Sequence, residues 1–118
     1  MAFFATPAGA TWEQVEIRFK DGHTVSVKAL AEQGVFNYTQ MGMANRKNAE
    51  PTVQWKLLKT FAAARGHLTW ESPDADRKNQ KRREVLSKDL RAFFQIEGDP
   101  ITSDGGGWRV RFKLHDES

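Results

Sequence analysis

The most chemically suggestive residues in this chain form a run of bases. Between Arg77 and Arg91 stand Arg77, Lys78, Lys81, Arg82, Arg83, Lys88 and Arg91, against only Glu84 and Asp89, a surplus of five positive charges. The remaining sequence carries eleven bases and thirteen acids. A mildly acidic body with one concentrated basic segment suits an anionic partner, where a charge run alone is more often a solvated face. At 100° per residue, a helix brings Arg77, Lys81 and Lys88 together, opposite a stripe of Leu86, Leu90, Phe93 and Phe94. Asn79 and Gln80 interleave with the bases, and their amides are the type that pairs bidentately with adenine. A projecting helix about 10–12 Å across fits a DNA major groove about 12 Å wide. A second basic element lies near the end of the chain, where Arg109, Arg111 and Lys113 alternate with Trp108, Val110, Phe112 and Leu114. The candidate nucleic-acid contacts are therefore Arg77, Lys78, Asn79, Gln80, Lys81, Lys88, Arg109 and Arg111.

Other chemistries find less support. The chain has no cysteine, which excludes disulfides, thiolate zinc sites and thiol catalysis. His23, His67 and His115 are far apart, and none has a partner at metal-ligand spacing, so no metal is expected. Asp74 with Asp76 suits a helix start, and Asp116 with Glu117 a solvated tail; neither pair has the burial that acid–base work needs. None of the five serines lies in a G-x-S-x-G elbow. Asp104-Gly105-Gly106-Gly107 lacks the Lys-Ser/Thr and the following helix of a phosphate loop, and reads as a hairpin tip. No aromatic residue falls between Arg77 and Arg91, which argues against a stacking platform for single strands. The expectation is a non-catalytic protein without a cofactor or a small-molecule substrate.

The elements that must position the bases can be read from periodicity. With 118 residues the chain is one domain of ordinary size, and 39% hydrophobic content with four Trp and eight Phe excludes a disordered chain. Residues Met1 to Thr11 are small and irregular, so residues 1–12 are expected to be a flexible terminus and 13–118 a single domain. The start lacks the basic flank and apolar length of a signal peptide, and no apolar run reaches 18 residues; a cytoplasmic protein without membrane contact is expected. Val15, Ile17 and Phe19, then Val25, Val27 and Ala29, alternate with polar residues around Asp21-Gly22, the pattern of a β-hairpin with one buried face. A short helix or strand is expected near Val35 to Met41, followed by a loop. Pro51 is predicted to open a helix whose face holds Val53, Leu57, Phe61 and Ala64, ended by Arg65-Gly66. His67 to Trp70 reads as extended. Ser72-Pro73-Asp74 is predicted to start a second helix reaching Gln95, about 23 residues or roughly 34 Å. Its half from Asp76 to Glu84 is polar all round and is expected to project from the body, fray, or form a separate short helix behind a break. Trp108 to Leu114 is predicted to be one strand, apolar on one face and basic on the other.

This order of hairpin, helix, short strand, basic helix and glycine-tipped hairpin resembles a winged helix. More narrowly it resembles the DNA-binding effector domains of the OmpR/PhoB response-regulator type. The matching residues are Trp55-Lys-Leu-Leu58 with Phe61-Ala62 and Gly66, Leu90-Arg91, and Ile101-Thr102 before Gly105-Gly-Gly-Trp108-Arg-Val110. Residues 50–114 carry the resemblance, and 13–30 match only as a generic hairpin. The family's second helix has little room between Gly66 and Asp74, and Arg83 and Ser87 stand where the family places apolar residues. The resemblance implies an α+β winged helix-turn-helix with a small N-terminal antiparallel sheet and a C-terminal hairpin wing. It also implies double-stranded DNA as the partner, the basic helix in the major groove, the wing on the backbone, and a role in transcription regulation. The alternative is a winged-helix module that binds an acidic protein surface.

Overall fold

The period-two segments become strands in the computed structural model, which describes residues 3–69, 77–103 and 105–117, without the side chains of 77–79. Strand β1 (Val15–Phe19) pairs antiparallel with β2 (Thr24–Ala29), from Val15 opposite Ala29 to Phe19 opposite Val25. The alternating apolar residues are buried, as a half-buried sheet requires. The connecting turn is held by Lys20 N–H on the Thr24 carbonyl (2.9 Å) and by His23 N–H on the Asp21 carboxylate (2.7 Å). The ambiguous stretch after it resolves into a strand, β3 (Glu32–Asn37), antiparallel to β2. The irregular loop that follows is anchored by Met41 and Met43, both fully buried.

Helix α1 spans Val53–Ala63. Proline does not open it. Pro51 forms a bridge with Ala44, and Thr52 caps the helix, its hydroxyl accepting from Trp55 N–H at 3.4 Å. This register buries Trp55, Leu57, Leu58, Phe61 and Ala62 and leaves Val53 exposed, contrary to its predicted place on the core face. The predicted stop holds: Arg65 (φ 57°) and Gly66 (φ 86°) turn left-handed, and Gly66 N–H donates to Phe61 O at 2.7 Å.

Strand β4 (His67–Thr69) follows, then helix α2 (Arg77–Phe94); the predicted start at Ser72 to Asp74 lies outside the described residues. Strands β5 (Ile101–Ser103) and β6 (Gly107–Val110) form a hairpin that pairs with β4 in the order β4-β6-β5. The predicted single strand Trp108 to Leu114 is in fact two. The chain bends at Arg111-Phe112, and β7 (Lys113–Asp116) crosses to the other sheet, where it lies parallel to β1 and completes the order β3-β2-β1-β7. The described residues thus form an α+β fold of two helices and two small sheets.

One further expectation is corrected. Residues 3–12 are packed against the domain. Phe4 is buried and its N–H donates to Phe93 O at 3.0 Å, while Trp12 is fully buried and donates from Nε1 to Glu97 O (3.1 Å) and Gly98 O (3.2 Å). Edge-to-face ring contacts link Phe4 to Phe36 (6.0 Å), Phe36 to Phe93 (5.0 Å) and Trp12 to Phe94 (5.7 Å), a geometry that adds to simple burial. Two aromatic anchors outweigh the irregular sequence around them. Phe4→Ala is expected to destabilise by about 2 kcal/mol, below the usual 3–5 because a terminal segment can detach locally. Urea unfolding checks this; a loss under about 0.5 kcal/mol would return the segment to a loose terminus.

Candidate nucleic-acid interface

Helix α2 sorts its residues as the wheel demands. Leu86, Leu90, Phe93 and Phe94 are fully buried, and Ser87 joins them. Gln80, Lys81, Glu84, Lys88 and Arg91 are exposed, away from that stripe. Lys81 is the most open of the resolved ion-pairing bases, with 80% of its side chain exposed and its ammonium 3.9 Å from Glu84. That separation in solvent contributes little, so Lys81 can exchange Glu84 for a phosphate at small cost. Arg77, Lys78 and Asn79 form the first turn of α2, and their side chains lie outside the described residues. Arg91 belongs to the exposed basic face too; it counts in the charge run, and the 100° rule places it there.

Arg83 does not project. Its side chain is only 17% exposed, its guanidinium carbon lies 5.8 Å from the Trp108 ring centre, and one terminal nitrogen is 3.6 Å from Asp99. A planar cation can cover an aromatic face, which is how a base occupies a position where an apolar residue would otherwise pack. The polar half of α2 is therefore tied to the second sheet at this point, which corrects the expectation that it projects from the body or frays.

The two arginines of the hairpin have different surroundings. Arg111 donates twice to Glu13 (2.8 and 3.0 Å) and once to Asp99 O (3.3 Å). The Arg111 hydrogen bonds hold the Glu13 carboxyl below the usual carboxylate range. Arg109 is exposed beside His67, with 3.2 Å between its terminal nitrogen and Nδ1. Because Trp108 faces α2, its neighbour Arg109 points to the opposite face of the sheet. The structure thus separates Arg109 from the basic face of α2 and places it near Arg65 and Lys113, neither of which is among the candidate contacts read from the sequence.

The outer face of the larger sheet is self-neutralised. Arg18 meets Glu16 (3.0 Å) and Glu117 (2.9 Å), Lys20 meets Glu117 (2.6 Å), and His115 lies 3.5 Å from Glu16. Hydrogen bonds from Arg18 to Glu16, and from Lys20 and then Arg18 to Glu117, lower both carboxyl pKa values. These carboxylates stabilise the fold above their unfolded pKa, and that contribution is lost as pH falls through the folded values.

Asp89 behaves in the opposite way. Burial pushes its carboxyl from 3.8 up to about 6, against a small opposing pull from Lys88. Its ionisation therefore works against folding: the penalty is absent below about pH 3.8, grows up to about pH 6, and is complete above it. The displacement corresponds to about 3 kcal/mol, which partial contact with water reduces to about 1–2 kcal/mol. Asp89→Asn is expected to raise stability by that amount at pH 8 and by almost nothing at pH 3.5. Equal gains at both pH values in thermal unfolding would contradict this origin.

Among the described residues no three His, Asp or Glu side chains gather as a metal site, and no helix is long and apolar enough to cross a membrane. Comparison with protein-family models, with curated proteins and with solved structures gave no match to the chain.

Proposed function

We propose that this chain is a non-catalytic winged-helix module that binds double-stranded DNA through the exposed basic face of α2. The observation that carries the reading is the set Lys81, Lys88 and Arg91, exposed together opposite the buried Leu86, Leu90 and Phe93. The strand order β4-β6-β5, with α1 before β4 and α2 before β5, supports the winged-helix assignment, because the hairpin after the basic helix pairs back to the short strand after the first helix. In this reading Lys81, Lys88 and Arg91 neutralise phosphates, and Gln80 meets base edges. Arg77 and Lys78 add charge at the first turn of the helix. Arg111 contributes only by leaving Glu13.

Binding of a fluorescent mixed-sequence duplex tests this. At physiological salt the expected dissociation constant lies in about the 1–100 micromolar range, and it tightens as salt is lowered. Lys81→Gln with Lys88→Gln and Arg91→Gln should weaken binding at least about tenfold on every sequence. Absence of binding at the lowest salt, or binding unchanged in that variant, removes the α2 reading and favours a partner with an acidic protein surface.

A further inference from the structure

A groove of about 760 Å³ opens where α1 ends and β6 gives way to β7, with Arg65, Arg109 and Lys113 on its walls. A hollow of about 340 Å³ beside Lys56 and Lys59 continues it, and the two share Ala63 and Asp116. Five fixed bases thus meet one acid. Lys56, Lys59, Arg65 and Lys113 are exposed, and none of the four forms an ion pair among the described residues. On the neighbouring sheet face Arg18 and Lys20 are matched by carboxylates, and Lys113 stands opposite Glu16 in the register of β1 and β7, so the unbalanced charge is chiefly that of Lys56, Lys59 and Arg65. Lys56, Lys59 and Arg65 gathered around one hollow with a single carboxylate, Asp116, repel one another, and an external anion relieves that repulsion.

The backbone adds a second observation. Arg65 N–H donates to Ala62 O (3.1 Å) and Gly66 N–H to Phe61 O (2.7 Å), so Arg65 occupies the left-handed position that ends a helix, with φ 57°. Glycine is the less costly residue there. A cation suits the negative end of α1, but that reason does not extend to Lys59 or Lys113.

We propose that this groove is a second phosphodiester-binding surface, which lets one molecule hold two nucleic-acid segments at once. The inference rests on the α2 reading for its first segment. Trp108 is stacked against Arg83 of α2, whereas Arg109 points to the other face of that sheet, and the basic face of α2 looks away from the core. One straight duplex therefore cannot touch both surfaces. The row from Lys56 to Arg65 is about 13 Å long at 1.5 Å per residue. A single strand presents about four phosphates over that length. An acidic protein partner would need an apolar anchor point, and the exposed large apolar side chains Phe3, Leu30, Val35 and Val53 do not line the groove.

The test uses two short duplexes, one with a donor dye and one with an acceptor, at low salt, with the protein shown to be monomeric by sedimentation. The wild-type chain is expected to bring donor and acceptor together. In Lys59→Gln/Arg65→Gln/Lys113→Gln the transfer signal should fall to that of free duplexes, while affinity for a single duplex changes by less than about threefold, since α2 keeps its phosphate contacts. No transfer with wild type, or transfer unchanged in the groove variant, overturns the groove proposal and leaves the α2 reading standing. Single-duplex binding lost in the groove variant but kept in Lys81→Gln/Lys88→Gln/Arg91→Gln overturns the α2 reading and, with it, the two-segment proposal. Poly-glutamate that abolishes transfer at lower charge concentration than random duplex does would assign the groove to an acidic protein and overturn the nucleic-acid proposal.

Discussion

Affinity for a mixed-sequence duplex should fall about 150-fold when monovalent salt rises from 50 to 200 mM. Each phosphate neutralised on duplex DNA adds about −0.9 to the slope of log K against log salt, and about four contacts give a slope near −3.6. Three contacts come from Lys81, Lys88 and Arg91 on the exposed face of α2, and the fourth is assigned to its first turn. Replacing those three with Gln in a chain whose groove bases Lys59, Arg65 and Lys113 are also Gln should reduce the slope to about −0.9, so that the same salt step costs only about 3.5-fold. Arg111→Gln should leave the slope almost unchanged, because that guanidinium is already held by Glu13 and Asp99 and must give up those bonds to reach a phosphate. A slope near zero for wild type would remove phosphate contacts altogether, and an equally large change with Arg111→Gln would place them elsewhere on the molecule.

These expectations rest on a surface that was partly legible before any coordinates. Side-chain period and burial agree wherever one element meets one core: Val15, Ile17 and Phe19 in β1, and Leu86, Leu90 and Phe93 in α2. Local pattern carries that information because the alternation itself is what burial selects. The break between β6 and β7 had no such trace. Period two continues without interruption from Trp108 to Leu114, yet the chain changes sheets at Arg111, whose N–H donates to Pro100 O (2.8 Å) while its guanidinium goes to Glu13. Both partners are distant in sequence, so no local rule reveals the turn.

Arg83 shows the opposite kind of failure. Its type says solvent, but the Trp108 ring supplies a surface that a guanidinium can cover. The groove bases are illegible for a third reason. Arg65 stands alone in its segment, Lys113 reads as one more base of the alternating strand, and only the approach of β7 to the end of α1 brings the two together. The N-terminal segment was misread because one Phe and one Trp decide its position, whereas composition weighs every residue alike.

Gly107→Ala should cost about 3–5 kcal/mol, the largest loss expected from so small a change. Sequence alone groups Gly107 with Gly105 and Gly106 as a flexible tip, but it is the buried first residue of β6, opposite Thr69 in β4. Its φ is 152°, and a Cβ there would fall onto the Leu68 carbonyl oxygen and lie 2.6 Å from Thr69 Cα. Both obstacles are backbone, so no rotamer change relieves them. Strands β4 and β6 must separate, with loss of the pairing of Leu68 with Trp108 and exposure of two buried side chains. Overpacking typically costs about 1–3 kcal/mol, and the backbone conformation adds about 1–3 for a residue with a Cβ. Gly105 is the internal comparison. Its φ is 82°, but nothing lies within 4 Å of the added carbon, so Gly105→Ala should cost only about 1 kcal/mol. Urea unfolding of the two variants at one temperature separates strain from collision. A difference below about 1 kcal/mol between them would mean that β4 and β6 are less tightly apposed than this register requires.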